Sequence, residues 1–211
     1  MAIFAAMLLC ILPGEMSIAS RSAFAAQAAA SDSNSPASIA VGQVAPPWTP
    51  RGWVNAASLE LKQLRGKVVL LRFLSDDTTG AASISELYRV YHPRGLAVVG
   101  MYAPAPMPAE TSIDHVRQLA SAHGFEFPIG VDSHWETLNR YWIDRGDAEL
   151  TSATFVIDGK GIVRYIQPDG QYDKNSSNRA MRKEYEKLEK AIENLLKPEE
   201  GSATKTSDPR P

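Results

Sequence analysis

Cysteine is almost absent from this sequence: 211 residues contain only Cys10, which lies in an apolar segment near the N-terminus. This absence excludes disulfide bonds, thiolate nucleophiles and thiolate metal ligands from everything downstream of that segment. A domain of ordinary size can do without disulfides, because its hydrophobic core supplies enough stability. Since Leu9 rather than a small residue precedes Cys10, we do not expect a lipid anchor there.

Other signatures of function are missing as well. The formal net charge is −2, and a chain without an excess of basic residues is not expected to bind nucleic acid. The histidines show no spacing typical of a metal site, and Met101 and Met107 are too few for a soft-metal site. The sequence also has no Gly-x-Ser-x-Gly elbow and no phosphate-binding glycine loop. The histidines are His92, His115, His123 and His134. We therefore predict neither a metal nor a cofactor.

The N-terminal segment predicts export. Residues 2–12 are apolar, like the hydrophobic part of a signal peptide, and they fall short of the roughly 20 residues that span a bilayer. Small-residue cleavage patterns end at Ala25 and Ala28. We therefore predict a signal peptide over residues 1–28 and a periplasmic or extracellular location. Because no Lys or Arg precedes the apolar stretch, the alternative is a chain tethered to the membrane by residues 2–13.

Composition divides the remaining chain into three parts. Residues 29–41 are rich in Ala, Ser, Asn and Pro, which predicts a flexible linker. Residues 198–211 are polar and end in proline, which predicts a disordered tail. The chain is 44% hydrophobic and 22% charged, a balance typical of globular proteins. We therefore predict one folded domain over residues 42–197.

The centre of this domain is predicted to be a strand at Val68–Leu74, a nearly continuous apolar run of the kind found in buried parallel strands. Helical spacing restarts at Ile84, so a loop and a helix follow the strand. Thr111 and Ser133 begin capping-box patterns that predict the starts of two further helices. Four more elements are expected. They are two strands at Leu96–Met101 and Phe127–Val131, a hairpin formed by Thr154–Ile157 and Ile162–Ile166, and a terminal helix at about Ser177–Lys197. This order predicts an α/β protein whose parallel sheet carries an antiparallel hairpin.

The same order, together with four local motifs, resembles the thioredoxin superfamily, in particular the redoxin branch of exported thiol-disulfide oxidoreductases related to alkyl hydroperoxide reductases. The motifs are Val41–Pro47, Leu64–Leu71, Gly95–Gly100 and Thr151–Gly159. The resemblance implies a thioredoxin-like α/β/α sandwich of three layers, with a mixed sheet, a C-terminal antiparallel hairpin and a terminal helix. It is specific for the fold and leaves the activity open.

Active members of that branch carry Trp-Cys-x-x-Cys in the loop after the first core strand. By resemblance, the two cysteines fall on Thr78 and Ala81, with Thr79 and Gly80 between them, and the substrate-binding cis-proline falls on Ser152. A threonine hydroxyl cannot replace a thiolate, because its pKa is far higher and oxygen has no equivalent of the disulfide cycle. Dithiol chemistry by this chain alone is therefore excluded, and so is a peroxidatic cysteine.

The side chains that remain at this position are polar. Asp77 or Thr78 is expected to cap the following helix, with a later start at Ser83 as the alternative. A second interpretation is a pocket for a ligand or a peptide. It would be built from Arg72, Asp76, Asp77, Thr78 and Ser152. In either case a buried Arg72 would need a counter-charge, and Asp76 and Asp77 are the nearest in sequence.

We consider two functions. The first is an exported binding or accessory protein that has lost redox chemistry and contacts another exported protein or a small ligand. The second is a thiol-disulfide oxidoreductase or peroxidase-like enzyme that relies on the thiols of a partner. The missing cysteines favour the first, while the resemblance keeps the second open.

Overall fold

The computed structural model describes residues 39–77, 79–143 and 152–197. The predicted signal peptide, most of the predicted linker, Thr78 and the predicted tail lie outside these residues. Within them the chain forms a six-stranded sheet in the order β1-β4-β3-β2-β5-β6. The strands are β1 (Trp53–Val54), β2 (Val68–Leu74), β3 (Leu96–Tyr102), β4 (Ile129–Val131), β5 (Thr154–Ile157) and β6 (Val163–Gln167).

Strand β2 lies in the interior of this sheet, as its apolar sequence predicts. All seven of its residues are buried. It pairs in parallel with β3, from Val68 opposite Leu96 to Leu74 opposite Tyr102. On its other side it pairs antiparallel with β5, which then turns into β6. The mixed sheet with a C-terminal hairpin is therefore confirmed.

Helices cover both faces of the sheet. The helices are α1 (Ala81–Tyr91), α2 (Ile113–Ala122), α3 (Glu136–Tyr141) and α4 (Arg179–Leu196), and a 3₁₀ helix spans Leu61–Leu64. Even-numbered positions of β2, such as Leu70, pack with α1, α2 and α4 in one hydrophobic cluster. Odd-numbered positions, such as Leu71, pack with α3 and the N-terminal segment in a second cluster. The alternation of a strand thus sends successive side chains into separate cores, and this gives the predicted three layers.

The ends of several elements differ from their predicted positions. Ser112 rather than Thr111 caps α2, because the Ser112 hydroxyl accepts from the His115 backbone N–H. The Asp132 carboxylate accepts from the first N–H groups of α3, which Ser133 was expected to cap. The two-residue strand β1 was not predicted, since such a short segment leaves no periodic pattern.

The described helices give no sign of a membrane span. None of the helices within residues 39–77, 79–143 and 152–197 is both long enough and apolar enough to cross a bilayer. The longest, α4, is amphipathic, with its apolar stripe packed on the sheet.

Replacing Leu188 by Ala should lower the free energy of unfolding by about 3 kcal/mol, because this side chain is fully buried between α4 and the sheet. Urea denaturation measures the change. Glu186→Ala, at an exposed position of the same helix, is the matched control and should change the value by less than about 0.5 kcal/mol. Equal effects of the two substitutions would contradict the packing described for α4.

Candidate functional site

The loop that follows β2 is folded around a carboxylate. Ser75 is buried, whereas Asp76 and Asp77 are exposed. Asp77 Oδ1 accepts from the Thr79 hydroxyl at 2.7 Å and from the Thr79 backbone N–H at 3.0 Å. These two hydrogen bonds, with a smaller contribution from the charge of Arg72, lower the pKa of Asp77 below its ordinary value of 3.8. Asp77 therefore stays ionised and holds the loop in a tight turn.

Helix α1 begins one residue after Gly80, which is its N-cap. The expected caps on described residues are therefore wrong, because Asp77 binds Thr79 instead of the helix and Ser83 lies inside the helix. Thr78, the other expected cap, lies outside the described residues. Gly80 is left-handed, with φ of 80°, and a Cβ there would come within 3.2 Å of the Gly170 and Tyr172 carbonyl oxygens. The close approach of this neighbouring segment explains why glycine occupies the position.

Arg72 joins the loop to the segment that precedes β5. Its side chain is buried, and Nη1 donates to the Ser152 carbonyl oxygen at 2.5 Å and to the Thr154 hydroxyl at 3.1 Å. Nη2 donates to the Thr79 carbonyl oxygen at 3.4 Å. We call this group, completed by Tyr172, the arginine clamp. One guanidinium therefore brings residues 79 and 152, which are far apart in sequence, to the same place.

The counter-charge expected for Arg72 is not an adjacent carboxylate. No ion pair joins Arg72 to a carboxylate among the described residues, and Asp77 influences it only at longer range. Instead its Cζ lies 5.3 Å from the centre of the Tyr172 ring, whose hydroxyl is 3.2 Å from the Thr154 hydroxyl. Carbonyl dipoles and a π-face thus solvate the cation. The Arg72 Nε atom is buried without a hydrogen-bond partner.

The clamp requires glycine at position 170. Gly170 is left-handed, with φ of 65°, and a Cβ there would overlap the Arg72 guanidinium. Its N–H donates to the buried Gln167 side chain at 2.7 Å, which fixes this turn after β6. The clamp is therefore packed from three directions: the loop after β2, the start of β5 and the turn after β6.

Asp76 belongs to a second cluster at the same end of the sheet. Its Oδ1 lies 2.7 Å from His115 Nε2, which is 3.4 Å from the Tyr102 hydroxyl. Burial, and then the nearby charge of Asp76, raise the pKa of Tyr102. Sequence analysis missed this cluster, because its members are distant in sequence and share no motif. The parallel pairing of β2 with β3 sets Leu74 opposite Tyr102, so Asp76, two residues after Leu74, lies at the same end of the sheet as Tyr102.

The structure thus brings together most, but not all, of the predicted site residues. Thr79 and Ser152 meet at Arg72, and Asp77 and Gly80 lie in the same loop, whereas Asp76 points toward His115. Ala81 is the buried first residue of α1, and Thr78 lies outside the described residues. A cavity of about 480 Å³ beside Asp76 is lined in part by Tyr102, Glu110 and His115.

Two further features bear on what the site can hold. A larger cavity of about 820 Å³ lies between α1 and the segment around His123, and none of the predicted site residues lines it. Within the described part of the chain, no group of three or more His, Cys, Asp or Glu side chains could hold a metal ion. What the site offers is hydrogen-bonding groups: two exposed carboxylates, carbonyl oxygens and the polar side chains of Thr79 and Ser152.

A family model and curated proteins match this chain in sequence. The family model described as the AhpC/TSA family matches residues 41–166, which is more than half of the chain. Among curated proteins, Protein DipZ from Mycobacterium bovis and from Mycobacterium tuberculosis is 31% identical over 134 residues. The match covers 58% of this chain and only 18% of the DipZ sequences, so the chain spans less than a fifth of their length.

Solved structures resemble the chain in fold. An uncharacterised conserved protein from Geobacillus kaustophilus has a TM-score of 0.61 at 20% identity, covering 76% of this chain and 84% of that one. A candidate protein disulfide isomerase from Bacteroides thetaiotaomicron has 0.59 at 19% identity, covering 76% and 92%. A candidate thiol:disulfide interchange protein DsbE from Chlorobium tepidum has 0.57 at 19% identity, covering 76% and 100%. The predicted resemblance to the redoxin branch of the thioredoxin superfamily is therefore confirmed for the fold.

Gly170→Ala should destabilise the protein more than Gly124→Ala does. Both glycines are left-handed, with φ of 65° and 62°, but a Cβ on Gly124 meets nothing within 4 Å. Gly124→Ala should cost about 1–2 kcal/mol for backbone strain, and Gly170→Ala at least about 2 kcal/mol more, because the guanidinium must move. Urea denaturation measures both. In an Arg72→Leu background the excess should disappear, and an excess that persists there would contradict the proposed contact.

Ionised Asp77 should stabilise the fold in a pH-dependent way. Because its pKa is lower in the folded protein than the ordinary 3.8, its contribution is present above 3.8 and is lost as the pH falls through the folded value. Denaturation of the wild type and Asp77→Asn should therefore show a stability difference at neutral pH that shrinks in acid. A difference that is independent of pH would show that the charge of Asp77 has no such role.

Proposed function

The chain belongs to the AhpC/TSA family, and we propose that it is an exported thioredoxin-like binding or accessory protein without redox chemistry of its own. The observation that carries the proposal is the absence of cysteine from the loop after β2. The positions that correspond to the two cysteines are Thr78 and Ala81, and the only cysteine of the chain is Cys10. Without a thiolate there is no nucleophile to attack a disulfide or a peroxide.

The clamp supports a binding function because it maintains the shape of the site without a disulfide. Arg72 donates to the Thr79 and Ser152 carbonyl oxygens and so joins the loop after β2 to the segment before β5 by hydrogen bonds alone. Asp76 and Asp77, in the loop that the clamp holds, are exposed, and Ser152 is half-buried. A partner with basic or hydrogen-bond-donating groups would complement these carboxylates.

The predicted leader supports export, to the periplasm or the exterior. The alternative location is the membrane surface, with residues 2–13 as a tether. These assignments rest on the sequence pattern of residues 1–28, so cleavage of the leader is part of the proposal.

A second candidate function is favoured by the family itself. Membership in the AhpC/TSA family and the names of the structural neighbours favour thiol-disulfide or peroxidase-like chemistry. Such chemistry in this chain would need the thiols of a partner protein, with this chain binding the substrate or the partner. The two functions differ in one measurable respect, which is turnover in the presence of that partner.

The purified chain should neither reduce insulin disulfides nor consume a hydroperoxide faster than buffer containing the same thiol reductant. For binding, extracts of exported proteins are passed over the immobilised chain. Partners should be retained by the wild type and by Asp114→Asn/Glu186→Gln, and lost with Asp76→Asn/Asp77→Asn. Both variants remove two exposed carboxylates, so they differ only in location. Turnover by the purified chain, or equal retention by both variants, would contradict the proposal.

Restoring cysteines tests the assignment of the lost positions. Thr78→Cys/Ala81→Cys/Ser152→Pro should form an internal disulfide on oxidation and gain insulin-reducing activity. Position 81 is the first residue of α1, and a helix N-terminus favours a nearby thiolate. Thr79→Cys/Ala82→Cys/Ser152→Pro has the same spacing shifted by one residue and is the control. If the two variants behave alike, Thr78 and Ala81 are not the counterparts of the family's cysteines.

A further inference from the structure

The cavity of about 820 Å³ beside α1, which we call the α1 cavity, is not lined by any residue of the candidate site. Its walls come from α1, the 3₁₀ helix His92–Arg94, the segment between α2 and β4, and the turn at Asn175. Cavities of this volume hold small organic ligands. We propose that it binds a small zwitterion with an aromatic ring, such as an aromatic amino acid or a short peptide of that chemistry. This binding does not depend on the function proposed for Asp76 and Asp77.

Aromatic rings form part of the wall of the α1 cavity. The Tyr88 ring centre lies 4.8 Å from that of His92 and 5.8 Å from that of Phe127. Across the cavity, the His123 ring stacks on Phe125 with a distance of 5.5 Å between centres. His92 and His123 are exposed, so part of each imidazole ring stays open to an occupant. A planar ring packs well on such a wall, and this favours an aromatic ligand over an aliphatic one.

Two polar side chains of the α1 cavity have unused hydrogen-bonding capacity. Ser85 lines the cavity, and its hydroxyl is buried without a hydrogen-bond partner. Buried hydroxyls are nearly always hydrogen-bonded, and a polar occupant of the cavity would supply this partner. His92 Nδ1 lies 3.2 Å from the Leu96 carbonyl oxygen, which can only accept a hydrogen bond. Nδ1 therefore carries a proton, and Nε2 of the neutral ring remains an acceptor for a ligand.

The charges on the cavity wall are of both signs. Arg89 lies on α1 and Glu126 on the segment before β4, and both side chains are exposed. Neither forms an ion pair or a hydrogen bond within the described part of the chain. Glu86 also lines the cavity, but it pairs with Lys174 at 2.7 Å, so these two charges offset each other. Arg89 attracts a carboxylate and Glu126 attracts an ammonium group, which together favour a zwitterion.

Other occupants match the α1 cavity less well. An anion such as phosphate would face the carboxylate of Glu126, and a cation would face the guanidinium of Arg89. A purely apolar ligand would leave both charges and the Ser85 hydroxyl without partners. Among the described residues, the His, Cys, Asp and Glu side chains form no group of three that could hold a metal ion. An aromatic zwitterion satisfies the rings and both charges together.

An NMR titration of the full chain tests the proposal. The reporters are the Gly124 backbone amide and the Asn175 side-chain amide, because both residues line the cavity. The main probe is L-phenylalanine. It is compared with phenethylamine, which lacks the carboxylate, with 3-phenylpropionate, which lacks the ammonium group, and with L-alanine, which lacks the ring. Glycyl-L-phenylalanine distinguishes a site for a peptide from a site for a free amino acid, according to which of the two binds more tightly.

Single substitutions connect each charge of the cavity to one group of the ligand. We expect L-phenylalanine to bind the wild type with a Kd of about 1 mM or below, and Arg89→Gln and Glu126→Gln about tenfold more weakly. Arg89→Gln should leave the affinity for phenethylamine unchanged, and Glu126→Gln that for 3-phenylpropionate, since each probe lacks the group that the lost charge binds. The controls Arg179→Gln and Glu186→Gln, at exposed positions of α4 outside the cavity, should bind like the wild type.

Several results would overturn the proposal. One is the absence of saturable shifts at the two reporters with L-phenylalanine and with its dipeptide. Another is a loss of affinity in Arg89→Gln or Glu126→Gln that is the same for every probe, or no loss for any of them. L-alanine binding as tightly as L-phenylalanine would contradict an aromatic ligand. Shifts confined to the amides of Asp77 and Thr79 would place the ligand at the candidate site instead.

Discussion

The arginine clamp is the interaction on which the geometry of the candidate site depends. A guanidinium is costly to bury, and it is tolerated only where hydrogen bonds and polarisable groups replace its water. Arg72 meets this requirement with carbonyl oxygens from two chain segments, the Thr154 hydroxyl and the Tyr172 ring. Because these partners come from different segments, satisfying the cation also fixes the loop after β2 against the start of β5.

This arrangement explains how the site can stay ordered without a disulfide bond. In family members with two cysteines, the corresponding loop carries the thiols that form and break a disulfide bond. Here Arg72 donates to the Thr79 carbonyl oxygen, and Asp77 accepts from the Thr79 backbone N–H and hydroxyl. These hydrogen bonds hold the loop. The exposed carboxylates that result are suited to recognition by a partner.

The sequence predicts the sheet well, because its signals are strong and local. The apolar run of β2 and the Asp158–Gly161 turn each determine an element, and the resemblance to the redoxin branch supplies the order. Helix starts were predicted less well. Ser112 and Asp132 cap helices one residue away from the expected positions, because neighbouring polar residues can perform the same role and only tertiary packing chooses between them.

The environment of the site residues was beyond prediction from the sequence. Arg72 was expected to pair with a neighbouring aspartate, yet it binds the Thr79 carbonyl oxygen and three residues at least 80 positions away in the chain. These residues are Ser152, Thr154 and Tyr172. Backbone carbonyl oxygens have no sequence signature, so a cation that they solvate cannot be recognised from residue types. Gly170 could have been noted as a turn residue, but its need to make room for the guanidinium depends on the folded structure.

An NMR study of the arginine side chains in the intact chain tests most directly whether Arg72 holds the loop after β2 against the start of β5. We expect the Arg72 Nη protons to exchange slowly with water and to show nuclear Overhauser contacts to the α-protons of Thr79 and Ser152. Rapidly exchanging Arg72 Nη protons without those contacts would contradict this expectation, because the loop and the start of β5 would then not be held by this cation.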